Sequence, residues 1–305
     1  MPVSFRQVLL FIRLSRPQFL LGGALLYGLG GAIADYLGKS LDPITYLLGQ
    51  VIITFIQLMT QYLNEYYDSE KDLTNTNRTP LTGGSGVLGP EGLPKNTALY
   101  AAAFSLALAA TAIILLRAHT TVPFVAWGIL ILGFLGAFFY NIPPIRLITS
   151  GYGEITTSFL VAGLLPSFAY SLQTGQIHRF LIMSSTPLIA LCFAMLIAFA
   201  FPDYATDLKL NKRTLLVRVD WKMGMRLHNI AIIFAAVSIL VAFYLGLPRP
   251  VALGSLIALP LAIAQIWQMD RIRQGYPTRW RIFTYNALAL FVLTAYLEMI
   301  GYLLN

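Results

Sequence analysis

The sequence predicts an all-α integral membrane protein: nine transmembrane helices in one bundle, with a polar cavity on the inner side capped by two long cytoplasmic loops. Three observations carry this. Of 305 residues, 57% are hydrophobic and only 11% charged, with mean hydropathy +0.70, whereas a soluble globular chain carries about 25% charged residues. Apolar stretches of about 20 residues, enough to cross a bilayer, fall at 18–38, 44–66, 97–117, 121–141, 155–174, 180–202, 227–246, 250–269 and 282–303. Basic residues then sort by side. Seventeen of the 21 Lys and Arg lie in the N-terminal segment or in the loops on its side, and Lys39, Arg117, Arg179 and Arg249 lie opposite. A missed or invented helix would scramble that asymmetry. By the positive-inside rule the N-terminus is cytoplasmic and the C-terminus on the other side, with the cell membrane as the expected location. Length alone would allow two soluble domains, but hydropathy makes residues 1–305 a single transmembrane domain.

Before the first span, Val3, Phe5, Val8, Leu9 and Ile12 alternate with Arg6 and Arg13. This fits an amphipathic helix on the inner surface or an ordinary snorkelling terminus. The apolar run is too short, and lacks a small-residue cleavage site, for a signal peptide. Two connections are long, 67–96 and 203–226, and both lie on the basic side. A single cysteine, Cys192, excludes an internal disulfide. His119, His178 and His228 are scattered, which argues against a zinc site. Asp35 and Glu298 fall near the far ends of their spans and read as interfacial.

The second span carries an unusual face. Gln57, Gln61, Asn64, Asp68 and Asp72 are spaced by four, three, four and four residues, which places them within an arc of roughly 80° on one helix. Glutamines in lipid are costly unless they line a cavity. Gln57, Gln61 and Glu65 are therefore candidate cavity-lining residues. After the sixth span, Asp203 and Asp207 repeat the i, i+4 acid pair. Either pair alone is what a solvated loop produces by chance. Two pairs on one membrane face, one continued inward by glutamines, suit oxygen ligation of a hard divalent cation. Mg²⁺ takes one or two carboxylates and completes its shell with water and phosphate oxygens. Two facing pairs would hold about two such ions and, through them, a diphosphate. Candidate diphosphate-binding residues are Lys71, Arg78, Tyr140, Arg146, Lys209, Lys212 and Arg213. The run Thr82-Gly83-Gly84-Ser85-Gly86 lacks the lysine of a P-loop but has the flexibility to turn amides toward an anion. Glu154 reads as an N-terminal helix charge.

At these residues the chain resembles the UbiA-type intramembrane aromatic prenyltransferases. That family has nine spans and two aspartate-rich motifs, matched here by Asn64-Glu65-x-x-Asp68-x-x-x-Asp72 and Asp203-x-x-x-Asp207. The resemblance extends to Ser15-Arg16-Pro17, Arg78-Thr79-Pro80-Leu81, Tyr140 with Arg146, and Lys212-Arg213-Thr214-Leu215-Leu216-Val217-Arg218. Asn64–Asp68 and Lys212–Arg218 look most like the menaquinone-pathway branch, which prenylates 1,4-dihydroxy-2-naphthoate with loss of its carboxylate. Glu65 departs from the Asp of many members, and Pro202 from a polar residue frequent in that branch. The resemblance implies Asn64, Asp68, Asp72, Asp203 and Asp207 as metal ligands for Mg²⁺, two ions in number, with the four aspartates catalytic. It implies polyprenyl diphosphate, a small aromatic acceptor and the bilayer as partners. No nucleic acid and no obligate protein partner are expected. 4-Hydroxybenzoate and geranylgeranylglyceryl phosphate stand as alternative acceptors. The rival classes are a cation-coupled transporter, which would set its acids at mid-membrane, and a non-catalytic lipid-binding scaffold.

Overall fold

A computed structural model describes residues 4–72 and 77–304, with the side chains of residues 70–72 outside the description. Nine helices among the described residues are long and apolar enough to cross a membrane. A shorter helix, α1 (Phe5–Leu14), precedes them and buries only Leu14. Its N-terminus closes in a capping box: the Gln7 amide donates to Ser4 Oγ at 3.2 Å and the Ser4 amide to Gln7 Oε1 at 2.9 Å, which satisfies two otherwise orphaned donors. Phe5, Val8, Leu9, Phe11 and Ile12 stay exposed, as an amphipathic helix lying on a membrane surface requires.

The spans are α2 (Pro17–Tyr36), α3 (Pro43–Asp72), α4 (Lys95–His119), α5 (Phe124–Asn141), α6 (Gly153–Thr174), α7 (Arg179–Lys209), α8 (Leu215–Tyr244), α9 (Arg249–Arg273) and α10 (Trp280–Leu303). Three helices overrun the apolar stretches that announce them. α3 continues to Asp72 and α7 to Lys209, and a helical segment opening at Leu215 leads into the rest of α8 across a break at Asp220 (φ 71°, ψ 168°), so the expected long loop 203–226 shrinks to residues 210–214 and that break. A helix needs apolar residues only inside lipid; its backbone bonds propagate into water through Asp, Thr and Lys as readily. Both acid pairs therefore sit on helix ends.

Small residues let the helices approach closely. A Cβ at Gly30 of α2 would land on the Pro166 carbonyl oxygen on α6, and one at Gly301 of α10 would lie 2.6 Å from Val251 Cα on α9. Such backbone proximity replaces the hydrophobic drive that is missing in lipid. In α6 the segment Phe159–Leu164 is π-helical. Pro166 lacks an N–H and crowds the preceding turn, and a wider turn just before it relieves that conflict. α7 carries Pro187 and Pro202 inside it, the second immediately before Asp203.

One polar cluster in the interior is partnered across three helices. Gln265 on α9 accepts from Asn286 on α10 at 2.7 Å and lies 3.3 Å from His228 Nε2 on α8. Glu298, expected at an interface, is instead fully buried, beside Ser184 and Ser255. It sits a turn inside the end of α10, where α7 and α9 cover it. At the opposite end from the acid pairs, Asp42 caps α3 through the Thr45 amide at 2.7 Å and contacts His119 at 2.9 Å. Hydrogen bonds from Thr45, then from His119, hold its carboxyl down at about 2.

Candidate functional site

Helix α3 delivers the centre of the site. Asp68, at its polar end, is only 2% exposed. Its Oδ1 accepts from Arg146 Nη2 at 2.8 Å and its Oδ2 from Lys212 Nζ at 2.8 Å. Arg146 comes from the turn after α5, in a left-handed conformation (φ 42°), and Lys212 from the turn between α7 and α8. One carboxylate thus ties three separate chain segments together. Charge-assisted bonds of this length are the strong ones. Among the described residues no three His, Cys, Asp or Glu cluster to hold a metal unaided.

The other acids sit around this ion triplet. Asp207 is buried near the end of α7, with the Thr214 hydroxyl 3.4 Å from its Oδ2. The Lys212 amide donates to the Asp207 carbonyl at 2.9 Å, so the same short turn sets Asp207 and Lys212 together. Asp203, one helical turn earlier, and Asn64, one turn before Asp68, are both partly exposed. The side chains of Lys71 and Asp72 lie outside the described residues. Lys209 and Arg213 are exposed and form no ion pair among the described residues.

About two turns below Asp68, a largely apolar cavity of about 340 Å³ opens within the bundle. Gln57, Gln61, Tyr140 and Thr157 supply polar groups to a wall made mostly of residues such as Phe134, Leu164, Phe168 and Phe291. Gln57 Oε1 and Gln61 Oε1 are buried there without hydrogen-bond partners. A protein that leaves two such acceptors unsatisfied loses stability unless a ligand or water completes them.

Glu65 does not line this cavity. It accepts from the Ser85 amide at 2.8 Å and the Ser85 hydroxyl at 2.6 Å, with Arg16 Nη1 3.8 Å away. At i+1 from Asn64 it points about 100° away from the glutamine face, and its extra methylene reaches the glycine-rich loop. That loop does turn an amide toward an anion, but the anion is the protein's own Glu65. Gly83, Gly84 and Gly86 all have φ near +70°, conformations that suit glycine, and they wrap Arg78, whose Nε donates to the Gly83 carbonyl at 2.7 Å. A Cβ at Gly86 would land on that guanidinium.

Two residues gain roles that spacing did not reveal. Arg16, also left-handed (φ 44°), donates to the Leu81 carbonyl at 2.8 Å and lines the cavity. Its signal was the Arg-Pro pair, which marks a helix start but names no partner. Glu154 accepts from the Leu215 amide at 3.2 Å, so it caps α8 as well as charging the start of α6. Its second oxygen is buried without a partner.

Fold and site together define a multi-pass helical membrane protein with acids and bases gathered at one end of an apolar cavity. The chain matches the UbiA prenyltransferase family over residues 24–291 and belongs to it, which makes it a prenyltransferase. It is 24% identical over 254 residues to the 1,4-dihydroxy-2-naphthoate octaprenyltransferase of Bacillus subtilis (strain 168), covering 78% of this chain and 79% of that protein. Its fold resembles a UbiA homologue from Archaeoglobus fulgidus bound to GPP and Mg²⁺ (TM-score 0.61, 16% identity, 95% of this chain and 99% of that one). It also resembles a structure from work on digeranylgeranylglyceryl phosphate synthase in membranes (TM-score 0.62, 14% identity, 98% of each chain).

Proposed function

We propose that this protein transfers a polyprenyl group from polyprenyl diphosphate to 1,4-dihydroxy-2-naphthoate, in menaquinone biosynthesis. The observation that carries the reading is the Asp68 carboxylate clamped between Arg146 and Lys212 at 2.8 Å each, above a cavity with two unsatisfied glutamine acceptors. The name of the B. subtilis relative supports the choice of acceptor. In this reading residues 1–305 act as one domain, oriented in the plasma membrane with the basic end cytoplasmic.

Arg146 and Lys212 exchange Asp68 for the oxygens of the incoming diphosphate, and Arg78, Lys71, Lys209 and Arg213 add positive field around it. Asn64, Asp68, Asp72, Asp203 and Asp207 are the all-oxygen donor set that would hold Mg²⁺, two ions in this proposal. When bound, the metal supplies Lewis-acid stabilisation of the leaving diphosphate. The allylic C–O bond breaks and its electron pair leaves with the diphosphate, whose charge the fixed cations receive without reorganising. The apolar wall excludes water that would capture the allylic cation, and the Tyr140 ring offers it a π face. Gln57 and Gln61 accept hydrogen bonds from the hydroxyls of the acceptor and orient its ring. The ring carbon attacks the allylic carbon. The carboxylate departs as CO₂, and its C–C electron pair restores the aromatic ring.

The test is a transfer assay on purified protein with labelled geranylgeranyl diphosphate, Mg²⁺ and three acceptors: 1,4-dihydroxy-2-naphthoate, 4-hydroxybenzoate and geranylgeranylglyceryl phosphate. Prenylated naphthoquinol with the first alone, lost on chelation, is the expected result. Product with either of the others instead overturns the acceptor assignment.

A further inference from the structure

A second pocket lies away from the acid pairs, where α9 ends and α10 begins. It is an open groove of about 450 Å³ lined by Trp267, Gln268, Arg271, Tyr276, Arg279 and Phe283, among others, the first of them and both arginines exposed. Arg271 lies over two aromatic rings, its guanidinium 3.9 Å from the Tyr276 ring centroid and 5.3 Å from that of Trp267. Stacked arginines keep their N–H groups free in the ring plane for an oxyanion. Neither Arg271 nor Arg279 has a carboxylate partner among the described residues. Arg273 differs, because Asp270 neutralises it. Gln268 lines the pocket, and its Oε1 is buried without a hydrogen-bond partner. The pocket therefore combines two uncompensated positive charges, a polar group awaiting a donor, and an apolar wall of Trp267 and Phe283.

We infer that this pocket holds the headgroup of an anionic phospholipid, its phosphodiester between Arg271 and Arg279 and its glycerol hydroxyls toward Gln268. The position supports a lipid over a free ion. Both arginines flank a turn joining two spans, at the depth where headgroups lie, and exposed Ile263 and Ile282 on the adjoining faces offer acyl contacts. An isolated basic residue at this depth is ordinary membrane topology; a groove with two guanidiniums lacking carboxylate partners, one of them stacked between aromatic rings, is not.

The experiment is thermal unfolding of the purified full-length protein in detergent. Supplements are dioleoyl phosphatidylglycerol, dioleoyl phosphatidylcholine, glycerol 3-phosphate and inorganic phosphate. Phosphatidylglycerol is expected to raise the melting temperature at least twice as far as phosphatidylcholine, and the two soluble phosphates to leave it unchanged. The increment should vanish in Arg271→Ala/Arg279→Ala and persist in Lys222→Ala/Arg226→Ala, which removes the same charge elsewhere on the basic side. Thr278→Trp fills the pocket with both arginines intact and should abolish the increment too, which covers a failure of the arginine variant to fold. An equal response in all variants overturns the site. A response to inorganic phosphate as large as that to phosphatidylglycerol overturns the lipid assignment.

Discussion

Asp68 illustrates what one side chain tells and what it hides. Its i, i+4 spacing to Asn64 and Asp72 marked a site, and a charge at the end of an apolar helix marked its depth. The sequence held no sign that Arg146 and Lys212, 78 and 144 residues away, converge on it. Asp68→Asn should lower kcat at least about 100-fold, the scale for losing one group that handles developing charge. Without ligand it should also cost about 1–3 kcal/mol of stability. That is less than for a fully buried pair, because Arg146 and Lys212 keep 26% and 15% of their side-chain exposure. Inorganic pyrophosphate should restore the melting temperature by pairing the two cations; no recovery would count against the diphosphate reading. Gln57→Leu tests the cavity. It removes an unsatisfied buried acceptor, so stability should hold or rise while KM for the aromatic acceptor increases about tenfold, the worth of one net hydrogen bond. Glu65 and Ser85 form the contact the sequence could not yield. A methylene more or less than Asp carries no periodicity, and the partner lies in a loop with none.

At the level of helices, hydropathy located the nine spans among the described residues, because lipid imposes a length on each. That reading misplaced the ends of α3 and α7, since nothing in a bilayer argument stops a helix that continues into water, and it missed the short helical segment that precedes the break at Asp220. The π-helical turn before Pro166 was equally invisible, although the proline that accompanies it was in plain view. Close helix crossings give the sharpest element-scale prediction. Gly30→Ala drives a methyl into the Pro166 carbonyl, which is backbone and cannot step aside, and should destabilise the fold by about 1–3 kcal/mol. Gly128→Ala on α5 meets nothing within 4 Å and should be neutral or slightly stabilising by helix propensity. Thermal unfolding of the pair in one detergent compares them directly.

For the molecule as a whole, the sidedness of the basic residues makes a prediction independent of chemistry. In a Cys192→Ala background, Ser40→Cys should react with a membrane-impermeant maleimide in intact cells, and Thr278→Cys only after the membrane is opened. The reverse pattern would invert the proposed orientation. The ion triplet at Asp68 has one more consequence. A carboxylate already seated on the arginine and lysine that a diphosphate needs is an internal competitor. Substrate must evict it at every turnover, and inorganic pyrophosphate, once formed, faces a tethered rival at high effective concentration. Asp68 would thus weaken the grip on substrate and spent leaving group alike, keeping the enzyme from being trapped by its own product.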